Sequence, residues 1–304
     1  MSLPRITSLV LVNLGMIAAC KPGEGSPPAE GSAPALSVSA PATAAPTATT
    51  TATTTASAGT PVLGKTCADD KDCPGAYCEF AFDGATMSKT GTCTDHRPIY
   101  KGRPLVVGGE PKLATAVGTA ANHPILVRLR DAALEEHAAI GAFARTICEL
   151  MALGAPSWLL HATSQAMSDE IRHADDTFAW VERQGGGSLR PGPLPAAVAP
   201  LRAEASAPTE LYRDVFRGGA VGETLAAARA DEESRAATDP AFRAFLGGIA
   251  EDEARHAALA FRTLGWLVET FPELGAVRDE EIASFRASAS AEARGLVEPL
   301  LGVL

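Results

Sequence analysis

The residues with the most to offer chemically form a repeated hexapeptide. Asp169-Glu170-Ile171-Arg172-His173-Ala174 and Asp252-Glu253-Ala254-Arg255-His256-Ala257 agree at five of six positions, and Phe178 or Phe261 follows each histidine by five residues. An isolated Glu-x-x-His is a weak signal. Two copies of the extended form read as an internal duplication. On a helix, residues three apart lie side by side, so each copy presents one carboxylate and one imidazole to a single point. Such oxygen and nitrogen donors suit iron or manganese and exclude copper-thiolate chemistry.

These residues need helices to position them. From residue 131 the apolar residues recur at helical spacing, and Gly and Pro punctuate the breaks. The pattern predicts helices over 131–153, 157–184, 209–238 and 240–270, the last opened by Asp239-Pro240, and a weaker helix over 279–296. Short links make the first two helices one antiparallel hairpin and the next two another. The connection between the hairpins, with Pro191, Pro193, Pro195 and Pro200, is long enough to run the length of a bundle. The expected fold class is therefore all-α, a four-helix bundle with one long crossover.

The helical faces can be assigned. In the fourth helix Leu246, Ile249, Glu253, His256, Ala260, Leu264 and Leu267 share one face, and in the second Leu160, Thr163, Met167, Glu170, His173 and Thr177 do. Carboxylates on a core face need cations to compensate them, so the other two helices should contribute further ligands. The phase of Ile140, Phe143, Ile147 and Leu150 projects back to Glu136, with Glu135 toward the flank. The series Val215, Gly219, Glu223, Ala226 and Ala230 brings in Glu223. The candidate metal ligands are thus Glu136, Glu170, His173, Glu223, Glu253 and His256. Glu232, Glu233 and Glu251 phase outward, and His137 and His161 stand alone. The plainer alternative makes the two motif histidines ordinary interhelical hydrogen-bond partners and the glutamates a solvated face.

Four carboxylates and two imidazoles from four helices resemble the six-ligand site of ferritin-like di-iron and di-manganese proteins, in which two helices give a Glu and two give Glu-x-x-His. The resemblance covers about residues 131 to 270. The Asp-Glu-x-Arg-His form is similar to that of bacterial multicomponent monooxygenases and ribonucleotide reductase small subunits. That likeness implies that Asp169 and Asp252 accept hydrogen bonds from the opposing imidazoles and that Arg172 and Arg255 pair with the two aspartates. It also implies two metal ions, iron or manganese, and chemistry on O2 or peroxide.

The first sixty residues read as address and tether. Residues 1–20 hold a short apolar stretch, Ile6 to Ala19, too weak for a transmembrane helix. Its end, Ile17-Ala18-Ala19-Cys20, resembles the lipobox of bacterial lipoproteins, which implies lipidation of Cys20 and anchorage to a membrane outside the cytosol. Lys21 after it implies the outer membrane by the enteric sorting rule. Residues 21–62 are Pro, Ala, Thr, Ser and Gly almost throughout and cannot bury enough surface to order themselves.

Cys67, Cys73, Cys78 and Cys93 fall in a small module over 63–97 that lacks a core of its own. No C-x-x-C pair is present, and export provides oxidising conditions, so two disulfides are favoured over a zinc knuckle. Cys67 with Cys78 and Cys73 with Cys93 is one of three possible pairings. A connecting segment, 98–130, leads to the bundle, 131–275, and a helical tail, 276–304. Cys148 reads as a small buried hydrophobe.

Across its 304 residues the chain has 26 Lys+Arg against 36 Asp+Glu and a net charge of -10, with no basic run, which disfavours nucleic-acid binding. There is no G-x-S-x-G, and Cys148 has no context for nucleophilic catalysis. The expected function is an exported oxidoreductase using a dinuclear iron or manganese centre on O2 or peroxide. Metal handling without turnover, or a purely structural lipoprotein, is the alternative. No protein partner is legible.

Overall fold

A computed structural model describes residues 4–18, 65–67, 77–79, 91–94, 102–108, 110–118, 124–202 and 207–304. The protein is mostly helical, and its long helices carry the site. Helix α1 spans Arg5–Ala18, α2 Pro124–Ala152, α3 Ser157–Arg183, α4 Ala207–Asp214, α5 Thr224–Ala236, α6 Pro240–Thr270, α7 Leu274–Ser288 and α8 Ala291–Val297. Between α4 and α5, Val215–Glu223 is a π-helix.

The helix ends follow local chemistry. Pro124 opens α2 in the first turn, where a missing N–H costs nothing. This is earlier than the sequence pattern suggests, so part of the expected connecting segment is helix. At its other end α2 stops at Gly154, whose φ of 74° is in the left-handed region that glycine tolerates. Asp239 caps α6 as expected, its carboxylate accepting from the backbone N–H groups of Ala241 at 2.7 Å and Phe242 at 3.1 Å. The C-terminal tail begins at Leu274 and is broken after Ser288, where Ser290 caps α8.

Helix α2 packs along α3, and the π-helix with α5 packs along α6. The shared core is rich in alanine. Ala254, Ala257, Ala258 and Ala260 on α6 are all buried, which lets backbones approach closely around Leu150, Leu159, Phe216, Phe261 and Leu264. Toward one end of the α3–α6 contact, Trp180, Phe242 and Phe245 form a cluster, with Trp180 at centroid distances of 5.0 and 5.8 Å from the two phenylalanines.

The expected helix over 209–238 is not regular. Gly218, Gly219 and Gly222 lie in the π-helix, where residues 218 to 224 are buried without interruption because α6 covers one side and a strap covers another. The strap is part of the segment expected merely to connect. Its Leu105 is buried against Ala138 and Ala142 of α2, and Pro104 lies against Gly218. Strands β4 (Val106–Val107) and β5 (Glu110–Pro111) continue it as an antiparallel hairpin. Strand β6 (Ala116–Gly118) then pairs with β7 (Leu189–Pro191) of the crossover.

Helix α1, expected only as an address, packs on α6. Ile6 and Val10 are buried in the main core, and the Thr7 hydroxyl donates to the Leu296 carbonyl at 2.9 Å. Among the described residues no helix is long and apolar enough to cross a membrane. Cys20 and the linker to residue 62 lie outside the described residues.

In the small module, strands β1 (Thr66–Cys67), β2 (Tyr77–Glu79) and β3 (Gly91–Thr94) form an antiparallel sheet whose register sets Cys78 opposite Cys93. Cys73 and the side chains of Cys67, Cys78 and Cys93 lie outside the described residues, so neither expected pairing falls within them. Cys148 corrects the sequence reading: it is exposed, because the turn of α2 that carries it buries Thr146, Glu149 and Leu150 instead.

Candidate metal centre

The six expected ligands converge. Glu136, Glu170, His173 and Glu253 form one group in which one ligand atom from each lies within 4.8 Å of the others, and Glu170, Glu223, Glu253 and His256 form a second. Glu170 and Glu253, the carboxylates of the two hexapeptides, belong to both groups. Glu136 comes from α2, Glu223 from the last position of the π-helix, and the two Glu-x-x-His pairs from α3 and α6.

Each imidazole is held by its Nε2 and presents its Nδ1 to the carboxylates. His173 Nε2 is 3.0 Å from Asp252 Oδ2, and His256 Nε2 is 3.3 Å from Asp169 Oδ2, so each hexapeptide aspartate holds the histidine of the other hexapeptide. Arg172 contacts Asp252 and lies 3.2 Å from Asp169. Arg255 contacts Asp252 and lies 3.7 Å from Asp169. Two aspartates and two arginines thus balance in charge while fixing both rings, the arrangement by which a neighbouring carboxylate orients a ligating imidazole.

The inward atoms have no such partners. His173 Nδ1, His256 Nδ1, Glu170 Oε1, Glu253 Oε2 and both oxygens of Glu223 are buried without a hydrogen bond. Glu170 Oε1 is 3.0 Å from His256 Nδ1, and Glu253 Oε1 is 3.3 Å from His173 Nδ1, yet neither Nδ1 makes a hydrogen bond. Six orphaned donor atoms around one centre leave a large penalty unless something positive takes them up. An all-oxygen and nitrogen donor set fits hard or borderline cations such as iron or manganese.

The electrostatics agree. Burial, with the charges of Glu253 and Glu136 behind it, pushes the Glu170 carboxyl well above its usual range, and burial with Glu253 and Glu170 does the same to Glu223. Burial also opposes charge on Glu253, but the neighbouring His173 and His256 imidazoles outweigh it and hold that carboxyl low. Burial disfavours the His173 imidazolium too, yet Asp252, Glu136 and Glu253 raise its pKa to about 12, and Asp169, Glu170 and Glu253 raise that of His256. Protons therefore occupy the metal-free site as substitutes for cations.

The other sequence candidates stay outside. Glu135, His161, Glu232 and Glu251 are exposed, His137 is half-buried, and Glu233 pairs with Arg128 and Arg229. Two features escaped the sequence reading. Arg103 of the strap is buried next to the site, with its guanidinium 4.5 Å from the Phe143 ring centroid. Glu149 of α2 is buried and ion-paired to Arg202 at 3.0 Å. Gly102-Arg103-Pro104, beside the run Gly218-Gly219, carried a partial signal, since paired glycines on a helix mark a close approach.

Compared with models of known protein families, with curated proteins and with solved structures, the chain matches none.

Proposed function

We propose that this is a ferritin-like four-helix-bundle oxidoreductase with a dinuclear iron or manganese centre, acting on O2 or peroxide. In this reading it is exported and anchored at the outer membrane by lipid on Cys20, with residues 21–62 as spacer and disulfides among Cys67, Cys73, Cys78 and Cys93. The observation that carries it is the pair of overlapping ligand groups that share Glu170 and Glu253. Two carboxylates common to two groups are the means by which a protein holds two cations side by side.

Glu136 and His173 would complete one ion's ligands, and Glu223 and His256 the other's. Two adjacent ions of this kind supply a pair of electrons to a bound oxidant. The chain's own part is orientation and exclusion of water. Asp252 and Asp169 lock the imidazoles with Nδ1 inward, and Arg172 and Arg255 keep those aspartates ionised. Phe143 closes one side of the centre, edge-on to His256 at a centroid distance of 5.5 Å. The buried π-helix and its strap shut out solvent beside Glu223.

The test is metal content followed by oxidant consumption. Protein folded with iron(II) or manganese(II) and freed of loose metal should hold about two ions per chain and consume O2 or peroxide. Well below two ions overturns the dinuclear reading. Two ions without consumption leave only metal handling.

A further inference from the structure

Helix α1 serves two roles that exclude each other. As sequence it belongs to a leader, and in the lipoprotein reading the lipidated Cys20 becomes the first residue of the processed chain. As structure it is part of the molecule. It lies along α6 and touches α5, α8 and the C-terminal turn Glu298–Val303. Ile6 and Val10 are buried in the same cluster as Leu264, Val297 and Leu300. Processing therefore strips a 14-residue helix from the bundle and uncovers an apolar strip about 21 Å long, at 1.5 Å per residue.

The face left behind is not purely apolar, and its polar groups say what can cover it. The Asp231 side chain, 3% exposed, contacts Arg5 of α1 and pairs with Arg235 at 2.9 Å. The Leu296 carbonyl accepts from the Thr7 hydroxyl at 2.9 Å. Helix α1 thus brings a cation, a hydroxyl donor and two apolar side chains to this face. Lipid tails would supply apolar surface but neither the cation nor the donor, and anionic headgroups repel a chain of net charge -10. A second copy carries the missing cation. The Arg235 side chain, 66% exposed, stands one helical turn from Asp231 on the same side of α5. Acid and base are therefore adjacent, which makes the patch self-complementary about a two-fold axis. A guanidinium has enough donors to bridge its own Asp231 and that of the second copy.

We propose that the face vacated by α1 is a dimer interface of the processed protein. Two copies pair through α5, α6 and α8, and each Arg235 takes the place of Arg5 on the Asp231 of the other copy. The proposal rests on the lipoprotein reading above and is independent of the metal centre. Lipid anchorage favours the pairing, because it confines the copies to one surface and raises their effective concentration. The unprocessed chain, with α1 in place, stays monomeric.

Sedimentation equilibrium tests it on two metal-loaded chains, residues 1–304 and residues 20–304, both carrying Cys20→Ser, in concentration series up to about 0.2 mM, where even a small interface associates. The longer chain should be a monomer and the shorter a dimer. A synthetic peptide of residues 1–18 should return the dimer to monomers, the same peptide with Arg5→Glu should not, and Arg235→Glu should abolish pairing in the shorter chain. A monomeric shorter chain overturns the proposal, whether or not it then binds lipid vesicles, and so does a longer chain that pairs equally well. A dimer that ignores both the peptide and Arg235→Glu overturns it too, being held through another surface such as the one that carries the exposed Cys148. So does a shorter chain that has lost its helical circular dichroism, because α1 is then integral to the fold. Should Arg235→Glu alone fail to fold, displacement by the peptide decides. The mass of the exported chain, measured separately, tests removal of the leader itself.

Discussion

The two halves of the candidate metal site start from the same hexapeptide and end in different surroundings. On the α2 side, Glu136 comes from a regular α-helix, and its side chain is 22% exposed. On the α6 side, Glu223 closes a π-helix, is 1% exposed, and has both carboxylate oxygens unpartnered under the strap. The duplicated motifs supply what must be common, two imidazoles and two shared carboxylates. The unduplicated helices supply what differs, a half open to water and a half closed beside Arg103. In the closed half water is excluded, so every charge there acts in a low dielectric.

The largest effect should come from the residues that serve both halves. Glu253→Ala or Glu170→Ala removes a ligand from each group, and metal analysis should find both ions lost. Glu223→Ala and Glu136→Ala touch one group each, and Glu223→Ala should weaken its ion more, since water can replace the partly exposed Glu136 but has no ready entry to the buried Glu223. Equal losses would erase the distinction between the halves.

Proton linkage comes next. In the metal-free chain Glu170, Glu223, His173 and His256 all bind protons more tightly than in the unfolded chain. The native state then carries the excess protons, so metal-free stability must fall as pH rises from the ordinary carboxylate range through neutrality. Metal affinity must rise over the same interval, by up to about tenfold per pH unit for each displaced proton. Melting curves with and without iron or manganese, recorded across that range, should diverge with increasing pH. Curves that stay parallel would show that protons do not occupy the ligand atoms.

A smaller loss is expected from the partners of the imidazoles. Asp252→Asn and Asp169→Asn leave all six ligands in place but weaken the hold on each Nε2, and should cost about 10- to 100-fold in metal affinity. Competition with a chelator measures it. Smallest is Gly219→Ala, which puts a methyl 2.7 Å from Ala260 Cβ and 2.8 Å from Arg103. Overpacking of this kind costs about 1–3 kcal/mol in folding stability. It should disturb the Glu223 half only, seen as weaker binding of the ion held by Glu223 and His256 with the Glu136 group intact.

The sequence reached furthest where its own periodicity did the work. Glu170, His173, Glu253 and His256 were visible from spacing alone, and Glu136 and Glu223 from the phase of Phe143, Leu150 and Val215. Helix phase is a local property, so it survives without tertiary information. What depended on long-range approach was not legible. Residues 102 to 105 read as a connector because nothing local says that Leu105 will bury against Ala138 or that Arg103 will reach Phe143.

The π-helix was hidden for a related reason. A run of three glycines in nine residues signals a departure from regular helix, but which departure depends on Ala260 and the strap pressing on it. Cys148 shows the same limit at the scale of one residue: apolar neighbours suggested burial, and its angular position on α2 decided otherwise. Residues 5–18 are apolar enough for an exported leader, and the same Ile6 and Val10 pack into the core of the helices, since apolarity alone does not choose between the two uses.

The most direct measurement is anomalous scattering at the iron or manganese absorption edge from a metal-loaded crystal. Two neighbouring peaks are expected, one touching Glu136 and His173, the other Glu223 and His256, with Glu170 and Glu253 between them. A single peak, or metal bound away from these six side chains, would contradict the dinuclear centre on which the function rests.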